Sequence, residues 1–307
     1  MTLAFTAFRQ IFIMLILMMI GVLCSKTKLI DEQMNNKLSS FLLFLVTPVV
    51  IFKSFQREYE PALLNGLLLS LLLSFGVFLL CFLVAYVFNR KNKNPNREAE
   101  IFACIYPNAG FIGIPLINGV LGSEGVFYLT VYIVVFNFFN WTHGVMLMSG
   151  TKNKGALKKV LLTPGLLATF VGLSFFLLQI HLPDVLLEPL DMINNMNTPL
   201  AMLVSGYALS RTSIFSILKN KMMYIICALR LLVTPLLVIL ILSFLPNIPE
   251  LLRSTFIIVS ACPIGVTIVL FSYTYKKDYI YATELMVAST ILSMFTIPLV
   301  ILVASLF

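Results

Sequence analysis

Apolar residues occur along the chain in long runs that are separated by short polar stretches. A helix needs roughly 20 such residues to cross about 30 Å of hydrocarbon. Ten runs are near that length, which predicts ten transmembrane helices, here called segments 1 to 10: residues 5–23, 38–56, 62–88, 98–121, 124–149, 157–179, 190–209, 222–245, 250–273 and 280–305. Segment 1 is interpreted as a retained helix and not as a signal peptide, because no small-residue cleavage site stands out. The pattern predicts an all-α polytopic membrane protein.

Prolines and glycines interrupt two of these runs. Residues 107–115 read PNAGFIGIP in the middle of segment 4, and residues 262–265 read CPIG in segment 9. A backbone polar group without a partner in lipid costs several kcal/mol, so broken backbone survives only where protein or a water-filled cavity covers it. Paired broken helices in the two halves of a chain point to the midplane binding site of a secondary transporter.

The same features recur in the same order in both halves of the chain. A Thr-Pro pair at residues 47–48 recurs at residues 198–199, and Pro107 recurs as Pro263, with offsets of 151 and 156 residues. With five segments in each half, an odd number, the second copy starts from the opposite side of the membrane. This predicts an inverted repeat, which can open to either side in turn. The predicted units are residues 1–149, a cytoplasmic connector at 150–156, and residues 157–307.

Positive charge is distributed unevenly between the loops. The composition is 60% hydrophobic and 11% charged with a mean hydropathy of +0.99, so the net charge of +8 does not point to nucleic acid as a partner. By the positive-inside rule, the basic loops are cytoplasmic and both termini lie outside. We therefore expect a multi-pass protein of the cytoplasmic (inner) membrane, surrounded by lipid. Lysine and arginine fall mainly in alternate loops, at residues 26–37, 90–97, 152–159, 211–221 and 276–277.

The break in segment 4 offers the clearest binding chemistry. A helix that restarts there presents free backbone N–H groups and the positive end of its dipole, which favour an anion such as a carboxylate. The amide of Asn108 either contacts the substrate or caps the broken helix, and the sequence leaves both roles open. In segment 5, Asn137 falls near the same depth, whereas Asn140 and Trp141 are more typical of helix packing. The candidate substrate-binding residues are Pro107, Asn108, Ala109, Gly110, Asn137, Cys262, Pro263, Ile264, Gly265 and, as a weaker candidate in segment 2, Ser54.

Arg230 is the deepest charged residue of the chain. It lies about nine residues into segment 8, roughly 12 Å from the cytoplasmic end at 1.5 Å per residue. An arginine at this depth is a functional hypothesis that needs a partner. Glu284, near the same membrane face in segment 10, is the obvious acid, so one interpretation is a structural ion pair. The other is attraction of an anionic substrate, and both stay open.

Several kinds of chemistry lack the residues that they need. No aspartate or glutamate lies at either break, which disfavours cation/proton antiport. The sequence contains no nucleophile with a nearby base, no zinc-binding histidine motif and no phosphate-binding glycine loop, so we expect neither an enzyme nor a metal or cofactor. The five cysteines are scattered singly, and His143 and His181 are expected to be structural. Cys262, beside the second break, is expected to react with water-soluble thiol reagents.

These motifs resemble those of a known carrier family. The sequence is similar to bacterial members of the auxin efflux carrier family, which includes the plant PIN and PIN-like carriers, and the similarity covers the whole length. The long cytoplasmic loop of the larger plant carriers is absent. The matching stretches are Pro107-Asn108 with Gly113-Ile114-Pro115-Leu116, Leu229-Arg230-Leu231-Leu232 before Thr234-Pro235, Cys262-Pro263-Ile264-Gly265 followed by Tyr275, and Ile297-Pro298-Leu299.

The resemblance implies a specific architecture and mechanism. Segments 4 and 9 would unwind and cross at their prolines within two inverted five-helix repeats. Segments 1, 2, 6 and 7 would form a scaffold that makes a homodimer, and segments 3–5 and 8–10 would form a transport domain that moves as an elevator. The residues themselves predict the breaks and the repeat, but they do not predict the crossing or the dimer.

The function expected from the sequence is secondary transport of small organic anions. The substrate is either a mono- or dicarboxylate, such as malate or malonate, or an aromatic acid of the auxin type. An anion channel and a membrane sensor built on a carrier fold are the alternatives. The sequence leaves the substrate, the direction of transport and the coupling ion open.

Overall fold

The computed structural model describes residues 3–150, 162–212 and 220–306, and within them the chain is helical without β-strands. The predicted connector lies outside the described residues from residue 151 onward, as do the first five residues of segment 6. The helices are α1 (Leu3–Lys26), α2 (Glu32–Ser54), α3 (Pro61–Phe88), α4 (Arg97–Ile105), α5 (109–121), α6 (123–149), α7 (Pro164–Leu177), α8 (Asp184–Asn195), α9 (Asn197–Ser210), α10 (Lys221–Phe244), α11 (Glu250–Ser260), α12 (Thr267–Thr274) and α13 (Tyr279–Ala304).

Large apolar side chains cover the outside of this bundle. Leu72, Phe244 and Phe295 are each exposed over at least 70% of their surface, which suits lipid and not water. The prediction of an all-α multi-pass membrane protein is confirmed. The count of ten crossings stays a prediction, because segments 4, 7 and 9 each consist of two shorter helices. In the described residues, six helical runs are long and apolar enough to span a bilayer: Phe5–Lys26, Glu32–Ser54, Pro61–Lys91, Ala109–Ser149, Lys221–Phe244 and Tyr279–Ala304.

The run Ala109–Ser149 is a helical hairpin. Gly122 has φ +70° and ψ −166°, a left-handed conformation that glycine adopts without strain. A Cβ placed on Gly125 would lie 2.8 Å from Cγ2 of Ile117, eight residues earlier. Eight residues of straight helix would separate these positions by about 12 Å, so the chain doubles back at Gly122. The turn separates α5 from α6, at the boundary predicted between segments 4 and 5.

Three helices contain a π-helical turn directly before a proline. The turns are Leu42–Val46 in α2, Ala109–Gly113 in α5 and Leu229–Val233 in α10, and a proline follows each within two residues. Proline has no N–H to donate to the preceding turn, and an extra residue in that turn accommodates the missing bond. Each π turn also rotates the side chains after it relative to a regular helix. In α10 the turn contains Arg230.

Two close helix pairs connect the halves of the chain. α1 packs along α9, where a Cβ on Gly21 would lie 2.6 Å from the carbonyl oxygen of Leu203. The second half of α2 packs along α7, where a Cβ on Gly172 would lie 2.6 Å from the ring of Phe55. Small residues permit such close approach between membrane helices, where lipid supplies no hydrophobic driving force. In terms of the predicted segments, segment 1 packs against segment 7 and segment 2 packs against segment 6.

Candidate functional site

Two broken helices cross at the centre of the bundle. The backbone between α4 and α5 and the backbone between α11 and α12 form a short antiparallel bridge at Pro107 and Ile264. The N–H of Asn108 donates to the carbonyl of Pro263 at 2.7 Å, and the N–H of Gly265 donates to the carbonyl of Tyr106 at 2.9 Å. Both predicted interruptions are therefore present, and each donates one backbone N–H to a carbonyl that the other leaves free.

The backbone that precedes α12 lies very close to the backbone of the first break. A Cβ on Gly265 would lie 2.9 Å from the carbonyl oxygen of Pro107, so only glycine permits this approach. The N–H of Ile264 donates to Oγ of Ser289 on α13 at 3.0 Å, and this hydroxyl donates to the carbonyl of Met286 at 2.8 Å. Ser289 could not be predicted as a support of the site, because a serine in an apolar helix carries no distinguishing signal.

Arg230 lies beneath the crossing and is fully buried. Its Nε donates to the carbonyl of Cys262 at 3.1 Å and its Nη2 to the carbonyl of Ser260 at 3.1 Å. Its Nη1 lies 3.5 Å from the carbonyl oxygen of Cys104, in the last turn of α4. The last carbonyls of a helix lack intrahelical partners and carry partial negative charge. One guanidinium therefore covers the C-terminal ends of both half-helices, α4 and α11.

This arrangement differs from the ion pair suggested by the sequence. Glu284 is not among the groups within hydrogen-bonding distance of the Arg230 side chain. The reason is that the two breaks bring at least three carbonyl groups to the guanidinium, and these can satisfy its donors without a carboxylate. Substrate attraction by direct contact is also not seen in this conformation, because Arg230 is absent from the walls of the two large cavities at the crossing.

The opposite ends of the broken helices face open space. The N–H groups of Ala109 and Gly110 make no hydrogen bond with any described residue, and Oδ1 of Asn108 accepts the N–H of Phe111 at 3.1 Å. A Cβ on Gly110 would meet no atom within 4 Å. At the start of α12, the N–H groups of Val266 and Thr267 are likewise without a described partner. Two positive helix ends thus point toward the same region.

Two cavities meet at Asn108. One has a volume of about 240 Å³ and is bounded by the crossing, by α6 and by α2. The other, of about 330 Å³, extends toward Asn35, Ser39 and Thr283 near the first turns of α2 and α13. None of the described residues that line either cavity carries a charge. Both cavities are lined by Leu43, Asn108, Phe111, Val266 and Leu270.

The candidate residues fall into three groups in the structure. Ser54 lies apart from the others, at a small cavity of about 60 Å³, and donates to the carbonyl of Ile51 at 2.7 Å. Cys262, Pro263 and Ile264 are buried within the crossing and line neither large cavity. The residues that line the cavity of about 240 Å³ are Pro107, Asn108, Ala109, Gly110, Asn137 and Gly265, together with Asn140 and Trp141.

Cys262 is expected to be protected in this conformation, contrary to the expectation from the sequence. Its side chain is fully buried, and its Sγ lies 3.5 Å from the carbonyl oxygen of Ile258. Reagents reach a thiol only when it is accessible. In single-cysteine variants labelled with a water-soluble maleimide, Cys262 should react much more slowly than the partly exposed Cys24. Equal labelling rates would mean that the crossing opens readily.

A series of hydrogen bonds that was not predicted from the sequence supports Tyr106, the residue before the first break. His143 contacts the hydroxyl of Tyr106 through Nδ1 and that of Tyr86 through Nε2, both at 2.8 Å. The hydroxyl of Tyr106 donates to the carbonyl of Phe139 at 2.9 Å. Nδ1 then carries the proton toward Tyr106, and Nε2 accepts from Tyr86. These bonds fix Tyr106 against α6, in keeping with a structural role for His143.

Known proteins with similar sequences are transporters by name. A family model described as membrane transport protein matches residues 6–159 and 152–301. An uncharacterized transporter of Methanocaldococcus jannaschii is 23% identical over 295 residues, which is 91% of this chain and 93% of the relative. A protein of Rhizobium meliloti, provisionally named a malonate transporter, is 24% identical over 271 residues, or 85% and 84% of the two chains. The chain therefore belongs to the membrane transport protein family, of the auxin efflux carrier type.

Proposed function

We propose that the protein is a secondary carrier of small organic anions and binds the carboxylate of its substrate at the helix crossing. One observation carries this proposal: α5 and α12 direct free N–H groups into an uncharged cavity, while Arg230 covers the opposite ends of the broken helices. The cavity side of the crossing is therefore electropositive without containing a cation. A carboxylate accepts such N–H groups well.

Alternating access by an inverted repeat is supported by the helix packing. Under the predicted repeat, segment 1 corresponds to segment 6 and segment 2 to segment 7. The two close pairs, 1 with 7 and 2 with 6, would then be exchanged by the repeat symmetry. Inverted repeats support two conformations that open to opposite sides. In our proposal these four segments form the fixed, dimer-forming scaffold, and the crossing moves against it as an elevator.

The orientation of the cavities is consistent with an inward-facing state. The larger cavity reaches Asn35 and Ser39, which lie on either side of Lys37 at the end of the first basic loop, and Thr283, which follows Lys276 and Lys277. By the positive-inside rule these helix ends are cytoplasmic. We infer that the substrate site is open toward the cytoplasm in this conformation and that both chain termini lie outside.

The substrates that we propose are small carboxylates of the malonate or malate type. The name of the Rhizobium meliloti relative refers to malonate, and the cavity of about 240 Å³ is of the right order for a small molecule. A carrier should show saturable uptake and counterflow of labelled anion in proteoliposomes. A channel would give uptake without counterflow, and a sensor would bind the anion without moving it.

Substitution of Asn108 by alanine should lower malonate uptake by about 10- to 100-fold. Loss of one hydrogen bond to a charged group costs about 1.5–3 kcal/mol. The fold should survive, because loss of the bond from Phe111 N–H to Oδ1 resembles loss of an ordinary helix cap, which costs about 1 kcal/mol. The measurement is initial uptake rate in proteoliposomes, together with thermal unfolding of the purified variant.

Asn220→Ala is a matched control for this experiment. Asn220 caps α10 in the same way, through Oδ1 and the N–H of Met222 at 3.0 Å, but it lines neither cavity. The two variants should unfold at similar temperatures, and only Asn108→Ala should lose uptake. Unchanged uptake by Asn108→Ala would refute the assignment of the site.

A further inference from the structure

Three residues that line one cavity have buried side-chain oxygens without hydrogen-bond partners in the described part of the chain. Oγ1 of Thr47 on α2, Oδ1 of Asn140 on α6 and Oγ1 of Thr267 on α12 are buried and have no partner within the described part of the chain. All three residues line the cavity of about 240 Å³ beside the crossing. Asn140 is only 1% exposed and Thr47 only 8%. Buried polar atoms are nearly always paired. Of the ten unpaired ones in the described residues, three belong to residues of this single cavity, and this grouping points to a ligand.

The local structure alone does not explain the free hydroxyl of Thr47. Thr234 occupies the same motif, since both threonines follow a π-helical turn and precede a proline. The hydroxyl of Thr234 donates to the carbonyl of Leu229, five residues earlier, at 2.9 Å. The hydroxyl of Thr47 makes no such bond with the corresponding carbonyl of Leu42. The difference is that Thr47 lines the cavity, whereas Thr234 does not.

The chemistry of these three atoms limits what can pair with them. A carbonyl oxygen such as Oδ1 of Asn140 only accepts, so its partner must donate, whereas a threonine hydroxyl can do either. A carboxylate at the crossing brings acceptors only. A cationic donor such as an ammonium group is unfavourable, because the described residues of the cavity include no acidic side chain to compensate its burial.

We propose that Thr47, Asn140 and Thr267 form a donor-recognising subsite, which selects organic anions that carry an uncharged hydroxyl or N–H group in addition to the carboxylate. This inference rests on the proposed function, because it assumes that a carboxylate binds at the crossing. The cavity of about 240 Å³ is large enough to hold water, which needs roughly 10–15 Å³ per molecule. A ligand that replaces this water without reproducing its hydrogen bonds loses affinity.

The test compares ligand pairs that differ by one hydroxyl group. Malonate is compared with hydroxymalonate, and succinate with malate, by calorimetric titration of the purified full-length protein. The wild-type protein should bind the hydroxylated member of at least one pair about tenfold more tightly, because the analogue without it leaves buried polar groups unpaired. In Asn140→Leu, the affinity for that hydroxylated anion should fall to the level of its analogue.

Two isosteric variants distinguish ligand recognition from a purely structural role of the threonines. Thr47→Val and Thr267→Val should each reduce the hydroxyl preference, while the unfolding temperature of the ligand-free protein should stay unchanged or rise. Thr234→Val is the matched control: it removes a formed hydrogen bond, so its unfolding temperature should fall while the hydroxyl preference stays at the wild-type level. These variants also keep the test valid if Asn140→Leu does not fold.

The outcomes separate this inference from the proposed function. Equal affinity for both members of each pair, or tighter binding of the unhydroxylated anion, would overturn the donor subsite and leave carboxylate binding at the crossing intact. Binding of no member of either pair would overturn the proposed function and the subsite together. A preference that persists in Asn140→Leu, Thr47→Val and Thr267→Val would place the donor site elsewhere and overturn this assignment.

Discussion

Replacement of Arg230 by methionine should lower the free energy of unfolding by about 3 kcal/mol and abolish transport. Methionine fills much of the same space but donates no hydrogen bond, so the carbonyls of Cys104, Ser260 and Cys262 lose their partner. Each buried group left unpaired costs about 1–3 kcal/mol. Removal of a charge from the membrane interior recovers about 3 kcal/mol. At about 2 kcal/mol for each of the three carbonyls, the loss of partners outweighs this gain by about 3 kcal/mol.

The effect on transport should exceed the effect on stability. Without the guanidinium, the C-terminal ends of α4 and α11 would leave uncompensated negative partial charge directly beneath the anion site. An anion at the crossing would then be repelled from one side while it is attracted from the other. In any Arg230→Met protein that can be purified, the affinity for malonate should therefore also fall.

Thermal unfolding in detergent and malonate titration measure both effects. Arg230→Lys should lie between the wild-type protein and Arg230→Met, because lysine keeps the charge but cannot reach three carbonyls with a planar fork. Arg90→Met removes an exposed arginine from the same bundle and should unfold like the wild-type protein. If Arg230→Met unfolded at the wild-type temperature, the carbonyls would not depend on Arg230 and the capping role would be wrong.

Features that depend on local sequence could be predicted. The hydrogen-bond partners of Arg230 could not. The breaks followed from proline and glycine in apolar runs, and the depth of Arg230 identified it as important. Its partners could not be found, because they are backbone carbonyls that exist as free groups only after two distant segments break beside each other. From side chains alone, the obvious partner was an acid on the same side of the membrane, Glu284.

The inner faces of the helices were also hard to predict. A π-helical turn adds a residue and rotates the helix beyond it, so regular helical spacing assigns some side chains to the wrong face. Asn140 lies one turn after Asn137 and lines the same cavity, although it was expected to serve packing. Cys262 was expected in contact with water but is fully buried, with its Sγ 3.5 Å from the carbonyl oxygen of Ile258. Ser54 is separated from the site by nearly two turns of α2 beyond Thr47.

Gly265→Ala should prevent formation of the crossing and abolish transport. The new Cβ would lie 2.9 Å from the carbonyl oxygen of Pro107 and 3.3 Å from that of Tyr106. Both obstacles are backbone, so neither can rotate away. Separation of the two broken segments would break the hydrogen bonds from Asn108 N–H to Pro263 and from Gly265 N–H to Tyr106. Overpacking costs about 1–3 kcal/mol and each lost bond about 1 kcal/mol, a total of about 3–5 kcal/mol.

Alanine substitutions at two other glycines serve as controls for Gly265→Ala. Neither Gly76 nor Gly110 would bring a Cβ within 4 Å of another group. Gly76 lies on the exposed surface of α3, so Gly76→Ala should leave both the unfolding temperature and uptake unchanged. Gly110→Ala should keep the fold but place a methyl group where the anion binds, so uptake should fall without loss of stability. If Gly265→Ala unfolded and transported like Gly76→Ala, the close backbone approach of the two breaks would not be needed, and the anion site would not depend on the crossing.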